Sequence, residues 1–395
     1  MDNSSNQDKV QHGTNNQRGV KDLLAQFQKS GLIQSFVPKY TNGYTAYDAN
    51  QFYAPFLVTF LDGEEWLIYT STSYRSDRAK EWYWDILNLK NINRLITRAY
   101  FVYSDSLPAH EKALFKKWSQ LISSHSLFTK LDGVYAYSAF REKLKQRASS
   151  GKNSGFMKNA TGVMYEQEVA HALGNKSNLE HLKKPSPSDA VFDYEVLEKV
   201  LDKLGIDPVN VVRVDASADL DDIGLLPSGG KPKTDVLADI ELDSGDIRTI
   251  TISCKKTADD WVTVSQFPAD TMADAIDSTN GDLRRLLNRF QAEGAVSGLT
   301  LDEQNELTGI LSSLKRRLAI WALGGVYGSG TPKTQWAKWI LISRSDAPDD
   351  FSFWAVDDYA DHLIKNTKGN FGTPFRWTYA SGQKGKSIQL KAKII

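Results

Sequence analysis

The amino-acid sequence predicts an α/β protein of two domains behind a polar N-terminal tail. Three observations carry that expectation. The chain has 395 residues, 41% of them hydrophobic, which is enough for two cores rather than one. Short runs of β-branched and aromatic residues alternate with longer stretches of helical periodicity, as in α/β folds. A small polar stretch at 148–155, ASSGKNSG, interrupts both patterns and reads as a linker. The expected divisions are a disordered tail at 1–18, an N-terminal accessory α/β domain at 19–147, and a second domain at 148–395.

Each element follows from local pattern. Residues 1–18 are rich in Asn, Gln and Ser, a composition poor in core-forming groups. Residues 20–32 place Leu23, Leu24, Phe27 and Leu32 on one side of a helix. Strands are expected at 55–61 and 65–70, joined by Asp62-Gly63, a tight-turn pair. A helix at 76–90, a strand at 99–104 and a helix at 109–123 complete the first domain. The second begins with helices at 160–173 and 193–204. A Gly/Pro loop at 227–233 leads into strands at 235–242 and 248–254, with a turn at 243–246. Helices at 282–293 and 301–321 follow, then strands at 339–343 and 351–356. Residues 371–395 are Gly-rich and basic. No internal repeat is present.

Composition excludes several classes. Lys plus Arg and Asp plus Glu stand at 48 each, so net charge argues neither for nor against nucleic acid. Cys254 is the single cysteine, which rules out an intramolecular disulfide and argues against a Cys-based zinc site. The first residues lack the apolar stretch of a signal peptide. No uncharged apolar run approaches the roughly 18 residues of a membrane span. A soluble, cytoplasmic protein without membrane contact is expected.

Chemistry concentrates in one segment. Pro232-Lys233-Thr234-Asp235 precedes a hairpin that ends on Ile252-Ser253-Cys254-Lys255. Strand residues alternate faces, so Asp235 and Lys255 can converge on one sheet edge. Phosphodiester hydrolysis needs a neutralised phosphate and an activated water. A carboxylate can hold Mg²⁺, a hard cation that prefers oxygen, and a neighbouring lysine can orient the water or stabilise developing charge. The same run is also ordinary turn chemistry before a strand. Asp239 falls on the Asp235 face, as a contributor to the site or a solvated residue. Cys254 should point the other way, into the core.

The segment Gly229–Lys255 (GGKPKTDVLADIELDSGDIRTITISCK) resembles the catalytic hairpin of the MspI-like type II restriction endonucleases, in the PD-(D/E)xK nuclease superfamily. Gly162–Glu166 (GVMYE) is similar to the start of that family's first catalytic-domain helix, and Leu301–Trp321 to a long later helix. Phe371–Lys391 (FGTPFRWTYASGQKGKSIQLK) is the closest match. The resemblance spans about residues 150–395. It implies a restriction-endonuclease-like core, a mixed central sheet flanked by helices. It implies Asp235 as the Mg²⁺ ligand, Lys255 as the catalytic lysine and Glu166 as the helix carboxylate facing the metal. Ser253 occupies the position where most of the superfamily has Glu or Asp and the MspI-like enzymes are similar to an Asn variant. A hydroxyl is a weaker Mg²⁺ ligand than a carboxylate.

After Asp361 the chain contains no Asp or Glu, while Lys365, Lys368, Arg376, Lys384, Lys386, Lys391 and Lys393 follow. Charge pattern alone leaves two readings, a phosphate-binding face or a solvated basic tail. The resemblance implies base contacts in the major groove from Thr378, Tyr379, Ser381, Gln389 and Lys391, and a further DNA-facing position at Thr263. The implied substrate is double-stranded DNA, cut at CCGG after the first C, with 5′-phosphate ends. A cognate DNA methyltransferase is the expected genetic partner, and the chain acts as monomer or dimer. Two alternatives are a repair-type nicking nuclease and a DNA-binding protein with a decayed centre. In the first domain, Arg75, Arg78, Lys80, Trp82, Tyr83 and Trp84 mix cations with aromatics, which suits either nucleic-acid contact or an amphipathic helix with buried rings.

Overall fold

The structure is a computed structural model that describes residues 6–41, 52–71, 76–105, 109–124, 126–150, 154–185, 193–344, 350–380 and 382–394. The chain divides into two compact units, 1–164 with 184–192, and 165–183 with 193–395.

The first unit runs α1 (Asn6–Lys29), β1 (Ser35–Thr41), β2 (Tyr53–Thr59), β3 (Glu65–Ser71), α2 (Ser76–Ile92), β4 (Ile96–Tyr103), α3 (Ala109–Ser123), β5 (Gly133–Ala136) and α4 (Tyr137–Ser149). Its sheet has the order β1-β2-β3-β4-β5. The β2–β3 pair is the expected hairpin, with Gly63 at φ 84° in its turn, a conformation open to glycine at no steric cost. Period-two alternation gives the sheet two apolar faces. Phe56, Val58, Ile68 and Tyr100 pack against Leu23, Leu24, Phe27, Phe140 and Leu144. Leu57, Leu67, Tyr69 and Phe101 pack against Ile86, Leu89, Phe115 and Ile122.

Part of the segment expected as a tail lies in a helix. Helix α1 starts at Asn6, and Asn16 is only 2% exposed. Its amide donates to the carbonyls of Ser71 and Val102 at 3.1 and 3.3 Å. Polar composition signals disorder only on average, and here the Asn16 NH₂ group finds two backbone acceptors. Of the aromatic cluster, Trp82 packs with the apolar residues of one face, Tyr83 lies against Phe128, and Trp84 is exposed. Arg75 lies outside the described residues.

The contact division falls within α5 (Ser154–Gly174), between Met164 and Tyr165, rather than at 147/148. Ala160 and Met164 belong to the first unit's core, and Tyr165, Val169 and Leu173 to the second's. The stretch read as a linker includes the end of one helix and the start of the next: Ala148 is buried near the end of α4, and α5 opens at Ser154, while residues 151–153 lie outside the described residues. Small residues are compatible with helix when their neighbours pack, and composition cannot show that.

The second unit continues with α6 (Lys176–Lys183), α7 (Tyr194–Leu204), β6 (Val211–Ser217), α8 (Leu220–Ile223), β7 (Val236–Leu242), β8 (Ile247–Thr257), β9 (Trp261–Phe267), α9 (Ala269–Asp277), α10 (Gly281–Glu293), α11 (Leu301–Gly324), β10 (Trp339–Arg344), β11 (Phe351–Ala355), α12 (Val356–Asn366), β12 (Phe375–Thr378) and β13 (Ile388–Lys393). A mixed five-stranded sheet has the order β11-β10-β8-β7-β6, with β8 and β10 parallel and the other pairs antiparallel. Val236, Ala238, Ile240, Ile250, Ile252 and Cys254 pack on α5 and α7 residues. Ile340 and Ile342 pack in a second cluster with residues of α11 and α12. Helix α11 opens on a Thr300/Glu303 capping box and ends on Gly325 at φ 73°. A separate three-stranded sheet, β12-β13-β9, completes the unit. Among the described residues, no helix is long and apolar enough to cross a membrane.

Candidate active site

Asp235 lies one residue ahead of β7, and its N–H donates to the Ile252 carbonyl at 2.8 Å. That bond fixes Asp235 beside the β8 run Ser253–Lys255. Three donors then meet on Asp235 Oδ2: the Ser253 hydroxyl at 3.1 Å, the Cys254 N–H at 2.7 Å and the Lys255 ammonium at 3.2 Å. Lys255 also donates to the Cys254 carbonyl at 2.9 Å. The Asp235 and Lys255 side chains keep 20% and 15% of their exposure, so the ion pair opens at the sheet end and is not sealed in the core.

Glu166, on α5, is largely buried and faces this pair electrostatically. Burial pushes its carboxyl up to about 8, and the negative charge of Asp235 adds to the shift, while Lys255 and Lys231 oppose it. Two mutually repelling carboxylates beside one lysine make a site that a cation would relieve. Asp235 Oδ1 carries no hydrogen bond or ion pair among the described residues, since all three donors use Oδ2. These hard oxygens fit a divalent cation such as Mg²⁺.

The hairpin sorts the remaining expectations. Ser253 is 0% exposed and its hydroxyl is committed to Asp235; the side chain holds the carboxylate from beneath. Asp239 shares the face but accepts from the Thr249 hydroxyl at 2.6 Å, and four residues of strand put it about 13 Å along from Asp235. It therefore serves the β7–β8 pair. Cys254 packs on the opposite face, where burial raises its thiol pKa. Lys233, unremarked in the sequence except as turn chemistry, lies in the same cluster. Burial lowers its ammonium to about 7, helped by Lys255 and opposed by Asp235.

The small sheet assembles most of the expected DNA-facing residues. Its register pairs Thr378 with Gln389 and Gln389 with Gln266, and pairs Arg376 with Lys391 and Lys391 with Thr263. Alternation puts Phe375, Trp377, Ile388, Leu390 and Ala392 into the helical core, so the polar set occupies the other face. Arg376 stacks over the Trp261 ring at 4.1 Å. Arg376, part of the basic segment noted in the sequence, and Gln266, which was not singled out there, share this face by register. Tyr379 stands apart: a Cβ at Gly294 would lie 2.7 Å from its ring, so the ring covers the end of α10. Ser381 lies outside the described residues.

A family model described as "Restriction endonuclease MspI" matches residues 140–392. The chain belongs to the MspI restriction endonuclease family. Among its relatives, the type II restriction enzyme BsuFI of Bacillus subtilis is 28% identical over 98% of this chain and 98% of that enzyme. The type II restriction enzyme MspI of Moraxella sp. is 24% identical over 60% of this chain and 91% of its own length. A crystal structure of MspI with its cognate DNA covers 64% of this chain and 98% of that one, with a TM-score of 0.52 and 22% identity, a likeness of fold. The family match begins at residue 140 and so omits most of the first unit, whereas the BsuFI similarity spans it. The cluster of Glu166, Asp235, Ser253 and Lys255 and the polar sheet both fall inside the matched range.

Proposed function

We propose that this family member makes Mg²⁺-dependent double-strand cuts in DNA at CCGG, after the first C, leaving 5′-phosphate and 3′-hydroxyl ends. The observation that carries the reading is the convergence of Asp235, Lys255 and Glu166 at one end of the mixed sheet, the arrangement of a PD-(D/E)xK centre. Asp235, with Glu166, holds the metal, which when bound neutralises the scissile phosphate and lowers the pKa of water. Lys255 orients the attacking water or stabilises charge developing on the phosphate. Ser253 keeps Asp235 in place. Thr263, Thr378, Gln389 and Lys391 read base edges: lysine donates to guanine O6 and N7, and hydroxyls accept from cytosine N4. Tyr379 and Ser381 are further DNA-contacting positions on this reading.

The first unit is an accessory DNA-binding or target-sensing domain. A chain lacking residues 1–148 should bind more weakly or less selectively yet still cut; unchanged affinity and specificity would refute that role. The enzyme works in the cytoplasm, as monomer or dimer, beside a cognate DNA methyltransferase. A plasmid digest with Mg²⁺, with and without EDTA, tests the whole reading. Discrete fragments with C/CGG ends support it, nicked circles alone indicate a nicking nuclease, and binding without cleavage indicates a decayed centre.

A further inference from the structure

The side chain of Lys233 leaves the catalytic loop and crosses to the small sheet. Its ammonium donates to the carbonyl of Val264 in β9 and lies 5.2 Å from the centre of the Phe267 ring at the end of that strand. Gly325, the α11 C-cap, gives the stem its passage, because a Cβ there would come within 2.9 Å of Lys233 Cγ. Strand β9 is not paired with β8, to which the chain connects it through Ala258, Asp259 and Asp260, all exposed, and it packs on α11 through Val264 and Phe267. It is an edge strand whose sheet partner, β13, carries Gln389 and Lys391. The residue two places from Asp235 thus grips the strand of Thr263 one position further on.

We propose that Lys233 is a positioning residue that fixes the DNA-facing sheet relative to Asp235, so that DNA held by β9 and β13 presents its phosphate to the catalytic cluster. The inference rests on the nuclease reading above. A cation desolvated in this way needs its acceptor and its ring, and its four-carbon stem spans the two sheets where no strand pairing does. Misplacing bound DNA by about an ångström costs roughly a hundredfold in rate without removing a single base contact.

Steady-state cleavage of a duplex oligonucleotide by the full chain, wild type against Lys233→Met, tests this. The expected result is a kcat lower by about a hundredfold with KM nearly unchanged. A filler-only role leaves kcat intact, and parallel loss of kcat and binding marks a general folding defect; either overturns the proposal. Should Lys233→Met not fold, Phe267→Leu decides, since it keeps the ammonium and removes the ring. A smaller kcat loss at constant KM supports the inference, and wild-type kinetics overturn it. Failure of the wild-type protein to cut would instead refute the nuclease reading.

Discussion

The Ser253 hydroxyl donates to Asp235 Oδ2 across 3.1 Å while Ser253 itself is wholly buried. On the proposed reading, the residue at the customary carboxylate position supports the metal ligand through this hydrogen bond. Ser253→Ala removes one of three donors and leaves the Cys254 N–H and Lys255 in place. Cleavage should fall by roughly tenfold, the low end for residues that orient a ligand, with a stability loss of about 1 kcal/mol. Mg²⁺ titrations of the rate should show weaker apparent affinity. An unchanged Mg²⁺ dependence would show that Ser253 does not hold Asp235.

Asp235→Ala removes the centre on which every donor converges. Cleavage should drop by at least about a thousandfold, since both the cation and the activated water depend on it. Gel-shift binding to a CCGG duplex should persist, because the residues proposed to read bases lie on another sheet. Substantial residual cutting would move the metal ligand elsewhere.

Glu166 makes metal-free stability depend on pH. Its folded pKa of about 8 lies above the ordinary 4.5, so between these values the folded chain holds more protons than the unfolded one. The stability from this group is complete below about pH 4.5 and is lost as pH rises through 8. In EDTA, the wild-type Tm should decline across that window relative to Glu166→Gln. Parallel Tm curves for the two proteins would rule out a raised pKa at this carboxyl.

Neighbouring cations on the small sheet should separate by phenotype. Lys391→Ala should cost about 1–3 kcal/mol of discrimination at one base pair of the site. Arg376→Ala, which removes the exposed guanidinium over Trp261, should weaken binding evenly across sequences and lower the salt slope by about one. Competition binding with single-base-substituted duplexes at several salt concentrations distinguishes them. A sequence-dependent Arg376→Ala defect would contradict its phosphate role.

Local pattern made the β2–β3 and β7–β8 hairpins, α3 and α7 legible, because turn residues and apolar periodicity are written in adjacent positions. Edge strands β1 and β5 and the short helices α6 and α8 escaped notice, since short or Pro-containing stretches carry little periodicity and the packing that stabilises them does not show in local pattern. The start of α1 and the division inside α5 escaped for the same reason: Asn16 and Met164 are buried by residues that composition does not link to them.

For the candidate site, the sequence by itself determined which groups are available: Asp235, Ser253 and Lys255 at strand spacing, and a basic segment free of acids after Asp361. Their relation to a known family is also sequence information. Only the tertiary structure decided what each group does with its neighbours. It turned the Ser253 hydroxyl toward Asp235, gave Asp239 to Thr249, set Tyr379 over Gly294 and sent Lys233 across to Val264. The physical reason is that hydrogen bonds and desolvation act over a few ångströms. Register and packing between distant segments set such distances, and a linear pattern carries only the face on which each side chain stands.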